Sequence, residues 1–141
     1  FESNVRRVHF MSTISALSIP NLQTYLDWTK IWKHEHGHDR SAFTLNILRF
    51  PSFQSPAMLP KHIRSKCADE IETWADMDAN KKYLHEMEYN QIQRLIDYLR
   101  DIELDNQSLL QQDFVNFFQQ YDQRRNKNFE KTFPTLNISH A

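Results

Sequence analysis

Five potential metal ligands crowd into eight residues of this chain. His34, Glu35, His36, His38 and Asp39 all fall within KHEHGHDR, Lys33–Arg40. Three or four such groups converging tetrahedrally would hold a zinc ion. The spacing argues against it: the residues straddle a helix end and a glycine turn, which scatters their directions, and they follow no standard zinc pattern. The segment is expected to be a solvated helix terminus with cationic residues at its negative pole, and no metal is assigned to it.

Cys67 is the only cysteine. An intramolecular disulfide, or a site built from several thiolates of this chain, is therefore excluded. Cys67 falls on the apolar stripe of a helix, which reads as a buried structural thiol rather than a nucleophile, since a nucleophile would want a cationic, partly exposed pocket. Phe114, Phe117, Phe118 and Tyr121 are helix-spaced and read as core; a base-stacking platform would need flanking basic residues. Arg124, Arg125 and Lys127 form a short basic tract at a helix C-terminus, where cations are favoured in any case. Thr13, Ser15, Asn46 and Arg49 remain, near the C-terminal ends of two strand-like segments. Parallel α/β folds bind ligands at that edge. Thr13, Ser15 and Asn46 have two readings, as ligand contacts or as small polar residues that line a barrel interior or finish a strand.

These residues need elements to position them. Val5–Leu17 reads as a strand, with Val8, Phe10, Ile14 and Ala16 on one side and His9, Met11, Thr13 and Ser15 on the other. Its first residues are apolar on both faces, as in a strand buried on two sides. A helix follows over about 20–35, with Ser18 as N-cap, Pro20 in the first turn and Gly37 at the left-handed C-terminal position. Ala42–Phe50 reads as a second strand, ended by Pro51. Strand, helix and strand together predict a right-handed βαβ crossover in a parallel sheet. A proline-punctuated loop then leads to helices over about 60–76, 90–103 and 108–125, the last with Ser108 as N-cap. Phe129, Phe133 and Leu136 are expected to dock the tail, whose end then frays. The fold class is α/β, with residues 1–59 as a βαβ portion and residues 60–141 as a helical region packed on it.

At 141 residues the chain is one domain or part of one, with 40% hydrophobic and 13% aromatic residues to build a core. A net charge of -1 gives no electrostatic case for nucleic acid or an anionic membrane surface. No apolar run approaches the roughly 18 residues of a membrane span. The single glycine argues against a Rossmann or P-loop unit in this segment. The chain opens at Phe1, without an initiator Met or a signal pattern, almost directly into a strand. Two parallel strands do not make a stable sheet alone, so the rest of the sheet is expected upstream.

Three segments carry a family likeness. STISALSIPNLQTYLDW, Ser12–Trp28, resembles the fifth core strand and following helix of radical S-adenosylmethionine proteins of the SPASM/twitch type, with a Thr-x-Ser strand, a Leu-Pro or Ile-Pro loop and an acidic amphipathic helix. LNILRFPSFQSPAMLPKHI, Leu45–Ile63, looks like the next strand, followed by a Leu-Pro-Lys helix start. DFVNFFQQYDQRRNKNFEKTFPTL, Asp113–Leu136, is similar to the closing helix of the group. There Tyr121-Asp122, Arg125, Phe133-Pro134 and Leu136 match, while Thr135 stands where Glu is usual. The likeness spans roughly residues 5–136.

The resemblance implies the C-terminal portion of a partial (β/α) barrel and a cytoplasmic parent enzyme. That parent would bind a [4Fe-4S] cluster and S-adenosylmethionine and generate a 5′-deoxyadenosyl radical that abstracts hydrogen from a substrate. The cluster cysteines, a CxxxCxxC loop and further twitch or SPASM cysteines, are not in this sequence, and Cys67 matches none of them. The chain alone is therefore expected to bind neither cofactor, to hold no catalytic residue and to work only with the upstream half of the same polypeptide, on an unknown substrate. By family position, Thr13 and Ser15 fall near the cofactor adenine and Asn46 near the substrate cavity. The other reading is a small helix-rich protein–protein interaction domain without catalysis.

Overall fold

A computed structural model describes residues 5–136 and residue 138. The frayed end expected of the tail lies outside the described residues. The chain runs β1 (Val8–Ile14), α1 (Leu22–His36), β2 (Ser41–Ile47), α2 (Lys61–Asp76), α3 (Asp78–Lys81), α4 (Glu86–Asp101), α5 (Gln107–Arg125) and α6 (Phe129–Thr132). This is a mixed α/β chain: a two-stranded parallel sheet followed by helices.

β1 and β2 pair in parallel from Val8↔Ser41 to Ile14↔Ile47, as the strand–helix–strand pattern predicts. β1 is shorter than its apolar stretch. At Ser15 the backbone N–H donates to Ser18 Oγ, and the Ser15 carbonyl accepts from Ile19. The chain then turns through a 3₁₀ segment at Ile19–Asn21. Ser18 therefore closes this turn and does not cap α1, whose N-cap position is Asn21. Gly37 does adopt positive φ (104°), but with ψ of 136° rather than left-handed helical values. This is a conformation that only glycine takes readily.

One face of the sheet packs on α1. Phe10 meets Trp28 and Trp32 edge-on at 4.9 and 5.3 Å, and Phe43 meets Tyr25. The other face carries His9, Met11 and Thr13 beside Ala42, Thr44 and Asn46. His9, Met11, Thr13 and Asn46 are exposed there. Burial of β1 on both sides is thus not seen: no described element covers this face.

α2 and α4 form the main helical contact. Cys67, Ala68, Ile71, Trp74 and Ala75 bury against a core that includes Ile92, Leu95, Ile96 and Leu99. α4 begins four residues earlier than its apolar stripe indicates. A capping box explains this: the His85 side chain accepts the Glu88 N–H, and Glu88 accepts the His85 N–H. Ser108 likewise does not cap α5, which starts at Gln107. Its neighbour Gln107 instead donates to the Leu59 carbonyl. α5 is only half a core helix. Phe114 is buried, its ring tilted against Phe118 and edge-on to Phe129, whereas Phe117 and Tyr121 are exposed. The tail docks through Phe129 and Phe133, whose ring centroids lie 5.1 Å apart, with Leu136 buried. Arg64 is buried on the same stripe of α2 as Cys67 and Ile71, although its charge reads as a surface residue. Its guanidinium donates to the carbonyls of Leu59, Leu99 and Ile102, closing the C-terminus of α4.

Candidate functional site

The two edges of the sheet differ. In a parallel ladder, alternate residues turn both backbone groups toward a given neighbour. Leu48 N–H donates to Ile14 O, so Phe10, Ser12 and Ile14 face β2. The outward groups of β2 then belong to Ser41, Phe43 and Leu45, and α4 satisfies them with side chains. His85 Nε2 lies 3.2 Å from Ser41 O, Glu88 Oε2 accepts from Phe43 N at 2.9 Å, and Gln91 Oε1 accepts from Leu45 N at 2.8 Å. These residues recur every third position. α4 advances about 4.5 Å per three residues and the strand about 6.6 Å per two, a mismatch that long side chains absorb. The edge of β2 is thereby closed. On β1 the outward groups belong to His9, Met11 and Thr13. No described backbone pairs with them; only Ser18 Oγ approaches Thr13 O, at 3.4 Å.

Thr13 and Asn46 are register partners at the C-terminal end of the uncovered face. On the same face His9 bonds to Thr44 Oγ1, a pair that long-range register alone brings together. Ser15 stands apart from Thr13 and Asn46, half-buried in the turn it makes with Ser18. Arg49 is drawn away as well, its guanidinium over the Tyr98 ring at 5.8 Å.

Beside this end, a groove of about 480 Å³ runs along the open edge, lined by Ser12, Thr13, Leu17, Asn21, Tyr25 and Phe133. Burial raises the Tyr25 pKa, while its contact with Ser12 acts to lower it. That contact falls short of a well-aligned hydrogen bond, so the Tyr25 hydroxyl lacks a partner among the described residues. Tyr25 reads in the sequence as one position of an apolar helix face, which hides its polar tip.

No family model, no curated protein and no solved structure matches the chain.

The other residues singled out for chemistry separate. Cys67 is 5% exposed, and burial, with Glu70 nearby, pushes its thiol up to about 11. It is an inert core thiol. The histidine-rich segment splits up. His34 Nδ1 bonds to Tyr83 OH at 2.8 Å, and His36 packs on Trp32. His38 turns toward His85, with ring centroids 4.2 Å apart. Sequence reasoning missed His85, because its partners are distant in the chain. Among the described residues, no helix is long and apolar enough to cross a membrane.

Proposed function

We propose that this chain is the C-terminal part of a radical S-adenosylmethionine enzyme, contributing the last strands of a partial (β/α) barrel and the helices packed on them. The observation that carries the reading is the asymmetry of the sheet. α4 seals the edge of β2, while β1 offers an open edge and the sheet an uncovered face bearing Thr13 and Asn46. A barrel would use these features in this way: further strands join at β1, and the uncovered face becomes the interior. The likeness of residues 12–28, 45–63 and 113–136 supplies the family.

The residues present do not fit an iron–sulfur cluster. A [4Fe-4S] cluster is held by several thiolates, whereas Cys67 is single, buried and protonated at neutral pH. The cluster and the reductive cleavage of S-adenosylmethionine therefore belong to the upstream half. On this chain, Thr13 would offer a hydroxyl near the adenine and Asn46 an amide toward the substrate. Ser15, already bonded to Ser18, would act through the shape of the turn. The parent would be cytoplasmic, its partner the upstream half and its substrate undefined.

A non-catalytic interaction domain is the second reading. It rests on Leu109, Phe117 and Tyr121, which α5 leaves exposed.

The test begins with the coding sequence upstream of Phe1, where a CxxxCxxC tract is expected. The longer polypeptide, reconstituted anaerobically, should show iron–sulfur absorbance and cleave S-adenosylmethionine, whereas the 141-residue chain should do neither. In the longer protein, Thr13→Leu and Asn46→Leu should each weaken cofactor or substrate binding about tenfold, the loss of one hydrogen bond, with the cluster intact. A cluster on the short chain, or unchanged affinities in both variants, would count against the assignment.

A further inference from the structure

At the opposite end of the sheet, His38 and Asp39 precede β2 and His85 caps α4. We propose that His38 and His85, with Asp39 orienting the His38 ring, form a site for a divalent transition-metal ion of the zinc, cobalt and nickel class that completes its coordination with water. One ligand atom from each of the three residues lies within 4.8 Å of the others. Zinc takes nitrogen and oxygen ligands at about 2.0–2.2 Å, so modest side-chain rotation closes the two imidazoles around one ion.

His38 is already oriented for the task. Its Nδ1 lies 3.3 Å from Asp39 Oδ1. An ionised carboxylate only accepts, so the proton belongs on Nδ1 and the lone pair on Nε2. This is the carboxylate–histidine arrangement that prepares imidazoles for metals. Nε2 is buried and has no hydrogen-bond partner among the described residues. That nitrogen is a second observation, independent of the clustering: a buried polar atom is normally satisfied, and an ion between His38 and His85 would satisfy it. Two imidazoles suit zinc, cobalt, nickel or copper; calcium and magnesium prefer all-oxygen sites.

His85 is the ligand that must change. Its ring accepts the Glu88 N–H, and its Nε2 lies against Ser41 O. Coordination competes with these bonds, so binding should be micromolar rather than tight, and occupancy is coupled to the start of α4. His34 and His36 stay out of the site, held by Tyr83 and Trp32. β2 separates the ion from Asn46 by five residues, about 16 Å, so the site is independent of the chemistry proposed above.

The untagged 141-residue chain titrated with Zn²⁺ by calorimetry, and with Co²⁺ by visible absorption, tests the assignment. One equivalent should bind with a dissociation constant of about 10 µM, and Co²⁺ should show nitrogen-ligated d–d bands. His38→Ala should weaken binding at least tenfold, as should His85→Ala. His38 is the safer variant, because the hydrogen bond of its ring among the described residues is to its neighbour Asp39, whereas His85 caps a helix. The His34→Ala/His36→Ala double variant should bind like the parent. No binding at ten times that concentration, wild-type affinity in a folded His38→Ala variant, or loss of binding in the double variant would each overturn the proposal.

Discussion

Lys33 and Glu88 pair where each side chain is only 2% exposed, joining α1 to α4 beside the edge of β2. Lys33 Nζ also donates to Tyr83 O, and Glu88 holds the backbone N–H groups of Phe43 and His85. Burial lowers the Lys33 pKa, and the bond and charge of Glu88 oppose that shift. The carboxylate serves a helix, a strand and a helix cap at once. Such a pair is costly to assemble and costlier to break.

Glu88→Ala should therefore destabilise the chain by about 3–5 kcal/mol, because it leaves the buried Lys33 ammonium without its counter-charge and two backbone donors unsatisfied. Lys33→Met combined with Glu88→Gln should recover much of the loss. The amide oxygen can still accept from Phe43, and no charge is stranded. Denaturant titration of Glu88→Ala, of the double variant and of its components Lys33→Met and Glu88→Gln checks this, and losses in the double variant equal to the sum of its components would show that the two residues act separately.

Cys67 should resist thiol reagents at pH 8 in the native chain and react only on unfolding. The same burial makes stability depend on pH. A thiol raised to about 11 stays protonated where the unfolded chain has already ionised. Its contribution is thus complete below about pH 9 and is lost as pH rises to about 11, an effect of up to about 3 kcal/mol. Relative to Cys67→Ala, the wild-type chain should lose stability over that window. Parallel curves for the two proteins would place the thiol in water.

The parallel pairing of β1 with β2 was legible because Phe43, Leu45 and Ile47 alternate with Thr44 and Asn46, and because a helix of adequate length separates the strands. The burial of Cys67, Ile71 and Trp74 was legible from their helical spacing. The start of α4 was not, because it depends on His85 and Glu88 exchanging bonds ahead of the apolar stripe. Arg64 was hidden for a similar reason: its partners Leu59, Leu99 and Ile102 are carbonyls, which leave no trace in side-chain pattern. Around the candidate site, the adjacency of Thr13 and Asn46 follows from register. The withdrawal of Ser15 follows from a local serine–serine turn that competes with the strand. His85 meets His38 only through tertiary structure, so the histidines that are neighbours in the sequence are not the ones the fold brings together.

The open edge of β1 gives the most discriminating test of whether the sheet continues. Met11 is 75% exposed, and its N–H points away from β2, whereas the N–H of Ser12 points toward it. An unpaired apolar edge recruits other strands, so the 141-residue chain should self-associate. Met11→Pro removes one outward donor without touching the β1–β2 ladder, and Phe10 before it is already extended, as proline requires. This variant should keep its circular dichroism spectrum and become less associated in analytical ultracentrifugation. Ser12→Pro removes an inward donor and should unfold the sheet. In the longer polypeptide the expectation for Met11→Pro reverses. There the outward N–H would be paired with a neighbouring strand, and its loss should lower stability by about 1–3 kcal/mol. If Met11→Pro is silent in the longer protein, no strand joins β1, and the barrel reading fails at its most specific point.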